Sequence, residues 1–151
     1  MSVIEDMLSR IDELQDHVAR LETMEAQKWK MLATSLTSTS WDGDAYSTTA
    51  KTSIDLSAVF GAPAGLKAVL IKIQARDSAS AAATTGCWIV LSPNNTSGSG
   101  PIHRIAGIPN DVYHADMLEV PCDVNGDIYY QIDASGAGTM DVIIEIWGYL
   151  R

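Results

Sequence analysis

From Ile4 onward the apolar residues fall at Ile4, Met7, Ile11, Leu14, Val18 and Leu21, in alternating steps of three and four. This is the a/d stripe of a heptad repeat, and it predicts a helix that packs on copies of itself through those six side chains. Asp6, Arg10, Asp12, Glu13, Asp16 and Arg20 lie between them on the outer face, and His17, at a g position, belongs with the solvated residues. Ser2, with Glu5 three residues on, forms a capping box that starts the helix. After Leu21 the steps lengthen through Glu25, Trp29, Leu32 and Leu36. They read as a stutter and carry the predicted helix to Leu36, roughly 50 Å at a rise of about 1.5 Å per residue.

Two alternatives stay open for this helix. Ile11 and Val18 at a with Leu14 and Leu21 at d favour a parallel dimer, whereas Leu8 at e and Met24 at g widen the stripe and favour more than two helices. Dimer and trimer both fit. A single amphipathic helix laid back on its own β domain fits the same residues, although the stripe is narrow for a core face.

Beyond the hydroxyl-rich joint Thr34–Ser40 the period changes to that of strands. Ser53–Leu56 alternates ahead of a turn at residues 60–65, and Leu66–Arg76 is the clearest strand, with Val69, Ile71, Ile73 and Ala75 on one face and Lys72, Gln74 and Arg76 on the other. Residues 78–85 are a small-residue loop. Cys87–Leu91 is a continuous apolar run suited to a strand covered on both sides. Pro93–Pro101 carries no apolar side chain to anchor it and is expected to be a mobile loop. Ile102–Ile108 and Met117–Val120 are further strands, Asn125-Gly126 signals a hairpin into residues 127–132, and Ser135–Gly138 turns the chain into a last strand, Met140–Leu150. Seven or eight short strands between Gly, Pro and Asn loops predict an antiparallel β-sandwich of jelly-roll kind. The expected fold is mainly β, with an N-terminal α-helical coiled coil in residues 1–36 and a sandwich head in residues 37–151.

Composition narrows the function more than it identifies it. The 151 residues are 46% hydrophobic with a net charge of −9, and no basic stripe exists to receive nucleic acid. No run approaches the length of a membrane span, and acidic Glu5 and Asp6 without a continuous apolar stretch argue against a signal peptide. Cys87 and Cys122 match no metal or redox spacing; two buried thiols, or one disulfide between neighbouring strands, are the readings.

The sequence carries no catalytic constellation and no cofactor motif. His103 and His114, with Asp111 and Asp116, would form a metal cluster only if two loops converge, and their spacing supports no metal. Asp42-Gly43-Asp44 and Asp123–Asp127 lack the register of a calcium loop, and Gly136 and Gly138 lack the strand-to-helix context of a nucleotide fingerprint. Trp88 and Trp147 are expected in the core, and Trp41 between helix and head. Tyr113, with Asp111 and His114, lies in a loop and suits a ligand such as a sugar, by ring stacking and hydrogen bonds; a tyrosine laid over the end of the sheet is the other reading.

The heptads of Ile4–Leu21, the Ser/Thr joint and a head that finishes on the strand Val142–Leu150 give a layout that resembles the small fibre, spike and decoration proteins of tailed-bacteriophage particles. The resemblance covers the whole chain in architecture and rests on no diagnostic motif. It implies a parallel homotrimer on the virion surface, with the N-terminal helix fixed to other virion structural proteins and the head exposed. It also implies, as an alternative role, a head that binds a host surface glycan or receptor.

Overall fold

Alternation and turn residues divide the chain into α1 (Val3–Ala26), β1 (Trp29–Leu36), β2 (Thr52–Ile54), α2 (Leu56–Phe60), β3 (Ala68–Asp77), β4 (Trp88–Ser92), β5 (Ile102–Arg104), β6 (His114–Pro121), β7 (Ile128–Asp133) and β8 (Met140–Leu150). These elements come from a computed structural model that describes residues 2–26, 28–41, 43, 46–78, 86–135 and 138–151. The expectations for Asp42, Asp44, most of the 78–85 loop, Gly136 and the side chain of Glu25 lie outside the described residues. The strands form two antiparallel four-stranded sheets, ordered β1-β8-β3-β6 and β2-β7-β4-β5.

Period-two patterning explains how the sheets meet. Val69, Ile71, Ile73 and Ala75 of β3, and Met140, Val142, Ile144 and Ile146 of β8, face inward. Ile89 and Leu91 of β4 and Ile128, Tyr130 and Ile132 of β7 come from the other sheet and join the same core cluster. Each such isoleucine contributes about 1.5–3 kcal/mol through apolar surface removed from water. α2 adds Leu56 and Phe60 to this core. Asp55 caps it by accepting the Ala58 N–H at 2.9 Å, which holds the carboxyl below its usual range, and Gly61 closes it in the left-handed region at φ +68°.

The first helix is shorter than its apolar pattern predicts. It stops at Ala26, and Trp29–Leu36, expected to be helical, is β1, paired antiparallel with β8 from Trp29↔Leu150 to Leu36↔Ile146 across a bulge. A step of four, as between Leu32 and Leu36, satisfies a strand as well as a helix, and ladder pairing plus contact of both leucines with the core decides for the strand. The division at residue 36 therefore cuts through the first sheet.

Local chemistry moves several other element boundaries away from the expected ones. Ser53–Leu56 is not one strand, because Asp55 ends β2 and caps α2. β5 stops at Arg104, and the chain turns through Ile105–Ile108, with Gly107 at φ +79°. Asn125-Gly126 is not a hairpin: β6 and β7 lie in different sheets, and the turn crosses between them. Asp123 builds that crossing by accepting the N–H groups of Asn125 and Asp127, both at 2.9 Å. Trp88 and Trp147 lie in strands but are half-buried, outside the core. Trp41 packs on Tyr46, Phe60 and Tyr130 within the β unit, not against α1.

The Pro93–Pro101 loop is held by polar contacts in place of apolar ones. Gln131 Oε1 accepts the Gly98 N–H at 2.9 Å, Lys51 Nζ donates to the Ser99 carbonyl at 2.8 Å, and Leu91 N–H donates to Pro101. The loop thus runs along β4 and β7. Val90, which alternation sends to the outside of β4, is fully buried.

Candidate functional site

The heptad residues form one uncovered stripe. Ile4, Met7, Ile11, Leu14, Val18 and Leu21 all lie on α1 and are between 46% and 70% exposed. The β unit buries none of them, so this chain does not fold its helix back as a core element. Leu8 and Met24 beside the stripe are exposed as well. The N-terminus is built as its residues require: Glu5 N–H donates to Ser2 Oγ at 3.2 Å, and Ser2 N–H donates to Glu5 Oε2 at 2.8 Å. That reciprocal pair holds the Glu5 carboxyl below its usual range.

At the other candidate site, Asp111, Tyr113 and His114 precede and open β6. Asp111 sits in the left-handed region at φ +57°, and its N–H donates to the Asp77 carbonyl at 3.3 Å. Tyr113 lies on the outer side of the first sheet, where the Arg76 guanidinium sits 4.8 Å from its ring centroid. Arg76 Nε donates to Asp141 Oδ2 at 2.6 Å, and this bond above all raises the guanidinium pKa. His114, paired with Ala75, turns to the inner side and stacks on His103 at 5.2 Å between centroids. Tyr113 and His114 therefore present their rings to opposite faces of the sheet.

His103 is the buried member of this cluster. Its Nε2 lies 3.1 Å from the His114 carbonyl and its Nδ1 lies 3.8 Å from Asp116 Oδ2. Burial pushes its pKa down, against the carboxylate of Asp116 and the His114 carbonyl, which favour the charged ring. Sequence spacing alone could not place His103, His114 and Asp116 together, because the contact joins the two sheets across the β5–β6 connection. Among the described residues, no group of three or more His, Cys, Asp or Glu side chains is placed to hold a metal ion.

The cysteines are free: Cys87 is buried, and Cys122 is half-buried with its thiol pushed up to about 12 by burial first and by Asp123 and Asp127 next. No described helix is long and apolar enough to cross a membrane.

One surface escaped the sequence reading. On the outside of the first sheet, Trp29, Met31 and Met117 are exposed and Leu70, Ile143 and Trp147 are half-buried. Its signal was in the run Val142-Ile143-Ile144, where an isoleucine occupies an outward position between two inward ones. No family model matches the chain, and no curated protein matches it in sequence.

Proposed function

We propose that this protein is a non-enzymatic structural component of a bacteriophage particle surface: a homotrimer whose α1 helices form a parallel coiled-coil stalk carrying jelly-roll heads. The observation that carries the reading is the uncovered heptad stripe on α1. Six apolar side chains at a/d spacing, exposed on a 24-residue helix, are an unfavourable arrangement for a lone chain and a favourable one for a bundle. A parallel bundle sets His17 at g beside Glu22 at e of the next copy, and Val3 beside Leu8. The antiparallel alternative sets Arg10 against His17 and is disfavoured whenever the histidine is charged.

The strand orders β1-β8-β3-β6 and β2-β7-β4-β5 support the jelly-roll reading of the head. Each sheet interleaves strands from both halves of the chain, as two Greek keys folded into one sandwich require. The link to phage particles is an analogy of architecture. On a particle, many copies would act together, so weak contacts by each head sum to firm attachment.

The test is incorporation. Virions assembled with the full chain should retain the protein through purification, and virions assembled with Leu14→Asp, which puts a charge into the stripe without touching the β unit, should lose it. Equal retention of the two would refute anchoring through an assembled stalk.

A further inference from the structure

The two sheets differ in how their outer faces are finished. That of the second sheet carries its own cover, the 93–101 loop, tied down by Gln131 and Lys51. Among the described residues no such segment lies over the first sheet, where Trp29, Met31, Leu70, Ile143, Trp147 and Met117 make an apolar surface running from β1 to β6.

Several polar groups on this face pair within the chain, and Glu119, opposite Leu70, stands exposed on the edge strand β6. Arg76 pairs with Asp141 at 2.6 Å and Lys72 with Glu145 at 3.5 Å, while the Trp147 indole N–H donates to Glu145 Oε2 at 2.9 Å. The middle of the face, where these charges are paired, can be covered without stranding an ion, which is the usual obstacle to burying one, with Glu119 left at the β6 edge. Beside Met117 a shallow depression lined by Lys72, Ala115 and Asp116 offers a recess for an incoming side chain.

The occupant is set by the chain's connectivity. α1 ends at Ala26 and β1, an edge strand of this sheet, begins at Trp29. A parallel bundle of α1 therefore delivers the first sheet of every copy to the symmetry axis, with Trp29 and Met31 foremost. Held there, the faces meet at effective concentrations on the order of millimolar, where even a modest apolar contact forms. Three heptads supply only six seam residues per helix, so a second contact adds to what holds the assembly.

We infer that the outer face of the β1-β8-β3-β6 sheet packs against another copy of this chain, making a head-to-head interface continuous with the helix seam. The inference rests on the proposed stalk and names the head surface that the stalk brings together.

Thiol labelling on the full chain tests it, because the native cysteines are buried or half-buried. Met117→Cys reports on the face, Ser53→Cys on the exposed edge of the second sheet, and each is labelled with and without Leu14→Asp while light scattering gives the mass. The expected result is an oligomer in which Met117→Cys reacts at least tenfold more slowly than in the Leu14→Asp background, with Ser53→Cys unchanged. Equal rates for Met117→Cys in an oligomer would overturn the interface and leave the stalk standing. A single-chain mass without Leu14→Asp would overturn both.

Discussion

The rings of His103 and His114 stack with centroids 5.2 Å apart and planes 16° apart, and of the two only His103 is buried. Burial lowers the His103 pKa below that of a free imidazole, so on folding this site prefers the neutral ring. The unfolded chain then binds a proton that the folded chain resists, and stability is lost as pH falls. Stability should be full above about pH 6.5, the ordinary imidazole value, and decline below it. Urea midpoints measured between pH 8 and pH 5 should show this decline, and His103→Asn should flatten it. An unchanged slope in that variant would assign the pH dependence elsewhere.

Gly126 has φ +91°, and a Cβ there would fall 2.5 Å from the Leu66 amide nitrogen, so two independent obstacles meet in one substitution. Gly126→Ala should destabilise the β unit by more than about 1 kcal/mol, through left-handed strain and the displaced 65–66 backbone together. Chemical denaturation checks this, and a loss under about 0.5 kcal/mol would mean that the turn relaxes freely.

Cys122, with its thiol pushed up to about 12, should be almost wholly protonated at neutral pH. Alkylation at pH 8 should leave both Cys122 and Cys87 unmodified in the folded protein and modify both in urea. Rapid alkylation of Cys122 in the native state would show that its surroundings open readily.

The boundary between helix and β unit makes opposite predictions for two truncations. A chain lacking residues 1–26 keeps β1 and should fold with a cooperative transition. A chain lacking residues 1–36 also loses β1, which strips Leu32 and Leu36 from the core and leaves β8 as a bare edge. It should unfold at lower urea and aggregate, as an exposed central strand does. Equal midpoints for the two would mean that β1 contributes little.

How much was readable beforehand follows the range of the interactions. β3 and β8 announced themselves, because strict alternation over ten or eleven residues has one reading, and their inward residues are the observed core. The Ser2–Glu5 box was legible for the same reason: its two bonds span three residues. β1 was missed because Trp29, Leu32 and Leu36 fit a helix locally, and the β8 ladder that overrules them begins more than a hundred residues away. Asn125-Gly126 misled because a tight turn says nothing of whether its flanking strands share a sheet. The His103–His114–Asp116 cluster and the Arg76–Tyr113 contact depend on strand register, which no short motif encodes. Of the candidate ligand residues, position along the chain was legible and face was not.

Everything proposed for α1 depends on the stripe from Ile4 to Leu21 joining copies of this chain. The most direct measurement is the solution mass of the intact protein by light scattering, taken across a range of concentrations. A stalked homotrimer gives three times the 16.2 kDa chain mass, falling when Leu14→Asp is introduced. A mass of one chain at every concentration would contradict it.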